Sequence, residues 1–133
     1  IGEAQFDKLK EIKLRRQKNF RGLYDGVEKF TPRIRLHKFS DKANPFAFPI
    51  TCNLGTERKD LIAFLERNGI ETRLIFSGNI VRQPMMKKVK YKVVGDLMNA
   101  ERIMQDTFFI GVHPLLNEEH LDYVIKKIEE YFK

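Results

Sequence analysis

The chain has 133 residues, of which 42% are hydrophobic and 32% charged, proportions typical of one folded domain with its own core. Its 25 Lys and Arg residues outnumber the 18 Asp and Glu residues, and the formal net charge of +7 favours an anionic partner: nucleic acid, a phosphate-bearing small molecule or an acidic protein surface. This composition excludes a disordered chain, and no apolar run approaches the roughly 18 residues that suggest a membrane span.

The cysteine content limits the chemistry further. Cys52 is the only cysteine, so the chain forms no intrachain disulfide and no cysteine-based metal site. Because Cys52 closes an apolar run, we expect a small core residue rather than a nucleophile. An unpaired thiol without a signal-peptide pattern favours a reducing, cytoplasmic location. The sequence begins with Ile1 rather than methionine, so we expect a fragment of a longer protein.

The first 27 residues contain no proline and predict one long amphipathic helix. Its apolar stripe consists of Phe6, Leu9, Ile12, Phe20, Leu23, Tyr24 and Val27. Arg16 interrupts this stripe, so we expect the middle of the helix to pack against polar groups or to be only half covered. Thr31-Pro32 ends the helix.

A strand–helix–strand unit follows. Arg33 to Phe39 alternates like an edge strand, "SDKANP" is a loop, and Phe46 to Cys52 is a strand in which Pro49 indicates an edge position or a bulge. Thr56 is the predicted N-cap of a helix that ends at Gly69 in a left-handed conformation. The predicted buried face of that helix is formed by Leu61, Ile62 and Leu65. Thr72 to Phe76 forms the next strand.

The second half alternates irregular and regular segments. Met85 to Gly95 has no periodicity and is predicted to be mobile or ligand-dependent. Asp96 or Asn99 caps a short helix, and Thr107 to Val112 is a β-branched and aromatic strand. The short helix carries Ala100, Ile103 and Met104. Asn117 starts the last helix, whose predicted apolar face consists of Leu121, Val124, Ile125, Ile128 and Phe132.

This order of elements predicts an α+β fold, with a small three- to four-stranded sheet and helices packed on one side. We treat residues 1–133 as a single domain, in which residues 1–30 form a long connecting helix and residues 31–133 a small α/β domain.

Motifs of a self-contained enzyme are absent from the sequence: there is no glycine-rich phosphate loop, metal-spaced cluster or nucleophile motif. No residue is therefore assigned as catalytic, cofactor-binding or metal-binding. Among the histidines, His37 and His120 have structural explanations, and His113, which ends the strongest strand, is considered as a site contact. The basic residues are scattered, with the densest run at Lys87–Lys92, which argues against nucleic-acid binding.

The string "SGNIVRQP", Ser77 to Pro84, is the most informative segment. A Ser-Gly-Asn turn can direct backbone N–H groups toward an oxyanion, and Arg82 supplies a planar charged fork suited to a carboxylate or phosphate. Composition alone favours an ordinary turn with a surface arginine.

Several strings, in chain order, carry a family resemblance: "IGEAQFDKL", "RRQKNFRGLY", "NPFAFPITC", "GIETRLIFSGNIVRQP", "YKVVGDLMNAERIMQDTFFIGVHP" and "LDYVIKKIEEYF". Together they resemble the C-terminal part of the sugar aminotransferase family of pyridoxal-phosphate enzymes. The similarity is strongest to the branch of nucleotide-diphospho-4-keto-6-deoxyhexose 3-dehydratases of lipopolysaccharide and deoxysugar biosynthesis. The string "TRLIFSGNIVRQP" is the most diagnostic.

The resemblance implies a fold type I enzyme, in which a small C-terminal domain packs on a large cofactor-binding domain and a homodimer interface holds the active sites. Pyridoxal or pyridoxamine 5′-phosphate belongs to the full-length protein, and none is expected on this fragment. Dehydratases of the family have histidine where aminotransferases have the Schiff-base lysine, and that position lies upstream of Ile1. The implied substrate is a CDP- or GDP-linked 4-keto-6-deoxyhexose.

The resemblance also implies a role for the loop after the third strand. The implied substrate contacts are Ser77, Asn79, Arg82 and Gln83, and Phe76 is interpreted either as a core residue or as a substrate contact that packs against the sugar or cofactor. Arg73 and His113 are implied as interdomain or site contacts. Three hypotheses remain open: the C-terminal domain of a 3-dehydratase that is inactive alone, the same domain of a sugar aminotransferase, and a basic module that binds nucleic acid.

Overall fold

The computed structural model describes residues 6–40, 42–53 and 55–133. The helices bounded within these residues are α1 (Leu9–Val27), α2 (Arg58–Arg67), α3 (Met98–Asp106) and α4 (Glu118–Phe132). The strands are β1 (Ile34–Leu36), β2 (Ala47–Cys52), β3 (Thr72–Leu74) and β4 (Thr107–Gly111). Short 3₁₀ turns cover Glu28–Phe30, Ile80–Arg82 and Pro84–Lys88. The predicted α+β class is confirmed.

The strands form one antiparallel sheet in the order β1-β2-β4-β3. Because side chains alternate along a strand, one face of the sheet carries Phe48 and Ile50 of β2 opposite Ile110 and Phe108 of β4. Helices α1, α2 and α4 cover this face and complete the hydrophobic core. Their fully buried side chains include Leu23, Val27, Leu61, Leu65 and Ile128. The predicted packing of helices on one side of the sheet is therefore confirmed for these three helices.

The opposite face of the sheet is partly polar and partly aromatic. Thr51 and Thr107 lie opposite each other, and their hydroxyls are hydrogen-bonded at 2.8 Å in a buried position. Phe109 contacts two more phenylalanine rings, with centroid distances of 5.9 Å to Phe46 and 6.2 Å to Phe76. In this aromatic cluster (Phe46, Phe76 and Phe109), Phe109 is buried, whereas Phe46 and Phe76 are 55% and 81% exposed, so the interpretation of Phe76 as a core residue is wrong.

Pro49 lies on an interior strand, so the predicted edge position is wrong, and the continuous β2–β4 register shows no bulge. The physical reason is that β1 ends early. The Asn53 amide donates to the Arg33 carbonyl, so alternate residues back to Pro49 turn their main-chain groups toward β1. Strand β1 stops at Leu36, opposite Ile50, so no carbonyl of β1 lies opposite Pro49. The N–H group that proline lacks is therefore not needed at this position.

Helix α2 shows one failed and one confirmed prediction about its ends. Thr56 is not the N-cap: that position is Glu57, whose side chain makes no capping hydrogen bond, while Thr56 is buried in the preceding turn. At the other end, Gly69 has φ +74°, and the amides of Gly69 and Ile70 donate to the carbonyls of Glu66 and Leu65. This is the Schellman arrangement that the glycine predicts.

The remaining boundaries are close to those predicted. Helix α1 begins at Leu9, later than predicted, and the predicted helical residues 1–5 lie outside the described part of the chain, as does residue 41 in the predicted "SDKANP" loop. Strands β1 and β3 are shorter than predicted, and β1 is an edge strand as expected. The Asp96 carboxylate accepts from the Met98 amide at 3.0 Å, although the N-cap position of α3 is Leu97.

Helix α4 starts with a reciprocal cap. The Asn117 side chain accepts from the His120 amide, and the His120 ring accepts from the Asn117 amide. This confirms Asn117 as the start of the helix and gives His120 a structural role.

The middle of α1 packs against polar groups, as the interruption by Arg16 predicts. Asn19 is buried, and its amide nitrogen donates to the carbonyls of His113 at 2.8 Å and Leu116 at 3.1 Å. Gln17 donates to the Ala43 carbonyl at 3.1 Å. These bonds fasten α1 to two loops of the domain.

Cys52 lies in the hydrophobic core, 4% exposed, which confirms the prediction of a small core residue. Burial, followed by the neighbouring Asp106 carboxylate, raises the pKa of its thiol to about 11. A thiol that holds its proton so firmly is a poor nucleophile.

Candidate functional site

The site begins where β3 breaks into a tight reversal. After Leu74, the Phe76 amide donates to the Leu74 carbonyl and the Gly78 amide to the Ile75 carbonyl, both at 2.8 Å. Phe76 and Gly78 both have positive φ, +37° and +58°. The chain therefore turns back on itself, and the following residues reach helix α3.

Asn79 is the buried centre of this turn. It is 3% exposed, and its side-chain oxygen accepts from the Val81 amide at 3.3 Å, which starts the 3₁₀ turn Ile80–Arg82. Its side-chain nitrogen donates to Oε2 of Glu101 at 2.8 Å. The amide of Asn79 thus binds groups of the protein, and the residue organises the turn.

Arg82 presents a charged fork at the surface of the same turn. Its Nε donates to Oε2 of Glu101 at 3.1 Å, and its side chain is 62% exposed. Within the described part of the chain, its two terminal nitrogens have no hydrogen-bond partner. The outer edge of the guanidinium is therefore available to an anionic ligand.

Glu101 is the residue of this site that the sequence did not reveal. It lies on α3, and its other oxygen accepts from Gln105 at 3.3 Å. Hydrogen bonds from Asn79 and then Arg82 lower the pKa of its carboxyl below the usual range. Glu101 follows Arg82 by 19 residues, so no local motif could have linked the two side chains.

Gln83 closes the turn. Its side-chain nitrogen donates to the Ser77 carbonyl at 2.8 Å, and both residues are half-buried. The structure thus brings four of the predicted contacts together in one cluster: Ser77, Asn79, Arg82 and Gln83.

The other predicted contacts lie apart from this cluster. Arg73 lies opposite Phe109 in the sheet and forms an exposed ion pair with Glu71. His113 is exposed, and its Nδ1 accepts from the Leu115 amide at 3.2 Å. Arg73 and His113 line an open cavity of about 540 Å³ beside β3 that also reaches Phe109. Phe76 connects the two regions, because its exposed ring contacts Phe109.

His37 has a structural role, as expected. Its Nε2 lies 2.9 Å from the Thr51 hydroxyl, next to the buried threonine pair of β2 and β4. Burial, and then the nearby charge of Arg35, lowers the pKa of the His37 ring.

Comparison with known proteins decides the family. Residues 1–129 match the model of the DegT/DnrJ/EryC1/StrS aminotransferase family. The chain belongs to this family.

Curated relatives match most of the chain. The lipopolysaccharide biosynthesis protein RfbH of Salmonella typhimurium is 44% identical over 135 residues, and the match covers 98% of this chain and 31% of RfbH. The chain is 33% identical to the dTDP-4-dehydro-2,6-dideoxy-D-glucose 3-dehydratase of Saccharopolyspora spinosa, covering 96% of this chain and 28% of that protein. The chain therefore spans about a third of the length of these curated relatives.

Solved structures of the family share the fold. The E. coli GDP-4-keto-6-deoxy-D-mannose-3-dehydratase with bound hydrated PLP superposes with a TM-score of 0.87 at 27% identity, covering 95% of this chain and 33% of that chain. The sugar aminotransferase CalS13 of Micromonospora echinospora gives a TM-score of 0.79 at 17% identity, covering 98% of this chain and 33% of that chain. The second likeness shows the fold alone.

A family member of this kind invites a test of whether its own residues fit pyridoxal phosphate. Proteins usually hold this cofactor with a lysine on its aldehyde and a carboxylate or arginine on its pyridine nitrogen. No lysine or aspartate is buried anywhere in residues 6–40, 42–53 and 55–133. The described residues by themselves therefore form no enclosed site with a buried lysine and aspartate.

Two further observations limit what this part of the chain contains. Across the described residues, no group of three or more His, Cys, Asp or Glu side chains is placed to hold a metal ion. None of the described helices is long and apolar enough to cross a membrane.

Proposed function

We propose that this chain is the C-terminal domain of a nucleotide-sugar 3-dehydratase that depends on pyridoxamine or pyridoxal phosphate. Its substrate would be a CDP- or GDP-4-keto-6-deoxyhexose of lipopolysaccharide or deoxysugar biosynthesis. The observation that carries this proposal is the order of similarity. Relatives named as 3-dehydratases are 27–33% identical, whereas the structurally similar aminotransferases are 17–18% identical, which supports the fold alone.

In this proposal the domain contributes substrate contacts and no catalytic residue. The free edge of the Arg82 fork would bind an anionic group of the substrate, with Ser77, Asn79 and Gln83 shaping the turn around it. Phe76 would offer an apolar surface to the sugar or cofactor. Arg73 and His113 would contact either the site or the neighbouring domain.

The cofactor would be held by an upstream large domain, and none is expected on this chain alone. The exposed aromatic cluster supports a covering partner, because Phe46 and Phe76 leave much apolar surface in water. Residues 1–30 would connect the two domains, and the full-length protein would be a cytoplasmic homodimer. The free, buried thiol of Cys52 is consistent with a reducing compartment.

The test compares the purified 133-residue chain with the product of the same gene extended upstream. We expect cofactor absorbance and loss of the C3 hydroxyl from a nucleotide-linked 4-keto-6-deoxyhexose only with the longer product. Turnover by the 133-residue chain alone would disprove the proposal that the cofactor and the catalytic residues belong to the upstream domain. Light scattering of the longer product tests the homodimer.

A sugar aminotransferase is the second candidate, because the matching family model is itself described as an aminotransferase family. The residue at the upstream position that contacts the cofactor distinguishes the two activities. Histidine there, with dehydration and no amino transfer to the sugar, supports the dehydratase, whereas lysine with an amino-sugar product supports the alternative. Tight binding of duplex DNA by the chain at low salt would instead support a nucleic-acid module.

A further inference from the structure

One carboxylate oxygen organises the whole turn at the candidate site. Oε2 of Glu101 accepts from Asn79 at 2.8 Å and from Nε of Arg82 at 3.1 Å. The two donors differ in burial, since Asn79 is 3% exposed and the Arg82 side chain 62% exposed. Glu101 therefore links the buried and exposed sides of the turn.

The carboxylate is itself fixed by its helix. Gln105, one helical turn later, donates to its second oxygen at 3.3 Å. Helix α3 is also pressed against the turn, because a β-carbon at Gly78 would lie 2.6 Å from Cβ and 2.7 Å from Cα of Met104. Only a glycine at position 78 allows the helix to approach this closely.

The mode of binding decides which edge of Arg82 remains available. Glu101 engages Nε and makes no hydrogen bond to the terminal nitrogens, which have no other hydrogen-bond partner in the described part of the chain. An arginine bound in this way keeps a pair of parallel N–H donors, the geometry that matches two oxygens of one phosphate. Lys87 and Lys88, in the next 3₁₀ turn, are exposed and form no ion pair with any described residue, so further positive charge follows Arg82 closely in the chain.

The neighbouring arginine shows that this arrangement is not a general property of the surface. Arg73 pairs with Glu71 two residues away, and both side chains are exposed. That pair is local in sequence, because Glu71 immediately precedes β3 and Arg73 lies within it. Arg82 instead pairs with Glu101 of helix α3, whose side chain is 26% exposed. Glu101 therefore holds the arginine through Nε and leaves its terminal nitrogens unbound.

We infer that Glu101 is a positioning residue, which holds Arg82 so that its terminal N–H pair binds the diphosphate of the nucleotide sugar. This inference rests on the proposed function and deepens it. Glu101 itself touches no substrate and acts through Arg82.

The experiment is a double-mutant cycle on nucleoside diphosphate affinity. Isothermal titration of the longer gene product with GDP and with CDP would be done for the wild type, Glu101→Gln, Arg82→Ala and the double variant. Glu130→Gln is the matched control, because it removes a carboxylate from an exposed pair with Lys127 on helix α4. Circular dichroism and Tm verify folding, and Glu101→Asp, which keeps the charge but shortens the reach, takes the place of a Glu101→Gln variant that fails to fold.

We expect each single substitution to weaken binding about tenfold, and Glu101→Gln to change affinity less than about twofold when Arg82 is already alanine. Glu130→Gln should bind like the wild type. Unchanged affinity in Glu101→Gln would overturn the inference. So would an equal loss in the Arg82→Ala background, because Glu101 would then act only through the fold.

The same titrations separate this inference from the proposed function. If the wild type binds neither GDP nor CDP, the proposed substrate is wrong and the positioning role falls with it. If the wild type binds and only the cycle fails, the proposed function stands and the role of Glu101 is wrong.

Discussion

At the scale of single residues, Gly78 determines how closely α3 can approach the turn of the candidate site. Its φ is +58°, and an added β-carbon would lie 2.7 Å from the backbone of Met104. Gly78→Ala should therefore lower the free energy of unfolding through both backbone strain and overpacking, by about 3 kcal/mol. Urea denaturation measures the change.

Gly95→Ala is the matched control for this substitution. Gly95 also has a positive φ, +80°, but an added β-carbon would have no neighbour within 4 Å. It should cost only the backbone strain, about 1 kcal/mol. Equal losses for the two variants would show that the approach of α3 to Gly78 is not tight.

Cys52 should react slowly in the folded protein. Because burial raises the pKa of its thiol to about 11, little thiolate is present at pH 8, and labelling by a disulfide reagent should be at least a hundredfold slower than in denaturant. The raised pKa also makes stability depend on pH. Between pH 9 and 11 the folded protein keeps the proton of the Cys52 thiol, whereas the unfolded chain loses it, so the free energy of unfolding should fall as the pH rises through this range.

Two measurements check this behaviour. The labelling rate is followed against pH with and without urea, and unfolding curves are compared with those of Cys52→Ala, which lacks this pH dependence. Fast labelling of the folded protein at pH 8 would contradict the buried position.

At the scale of elements, α1 is fastened to the loop between β4 and α4 by one buried asparagine. Asn19 donates to the carbonyls of His113 and Leu116, and Asn19→Ala would leave both acceptors without this donor. We expect the free energy of unfolding to fall by about 2 kcal/mol. Asn99→Ala, an exposed position in α3, is the control and should change it by less than about 0.5 kcal/mol. Similar effects for both would mean that the Asn19 bonds contribute little.

The elements also show what the sequence can and cannot predict. The helix ends at Gly69 and Asn117 were predicted correctly because the groups that cap them are adjacent in sequence, whereas Thr56, which has the same kind of signature, is not the N-cap of α2. Pro49 was assigned wrongly to an edge strand, because whether an interior strand can contain proline at this position depends on where the neighbouring strand β1 stops. In the candidate site the turn and Arg82 follow from adjacent residues, whereas Glu101 reaches them only through the packing of α3.

At the scale of the whole molecule, one face of the sheet is covered by helices, and on the opposite face Thr51, Thr107 and Phe109 are buried while Phe46 and Phe76 remain exposed. The aromatic cluster lies on this opposite face, with Phe76 81% exposed. Neighbouring exposed aromatic rings of this kind favour an interaction surface. It also lies beside the candidate site, so a partner that covered it would help to enclose Arg82 and its ligand.

We therefore predict that the isolated 133-residue chain associates through this face. Phe76→Ser should lower both the association constant, measured by sedimentation equilibrium, and the binding of a hydrophobic dye, because it removes the most exposed ring of the cluster. Leu115→Ser is the control, since Leu115 is 74% exposed but lies in the loop after β4, outside the cluster. If the chain is monomeric at all accessible concentrations, or if both variants act alike, this face is not an interaction surface. In the longer gene product the Phe76→Ser effect on dye binding should disappear, because the upstream domain would already cover the ring.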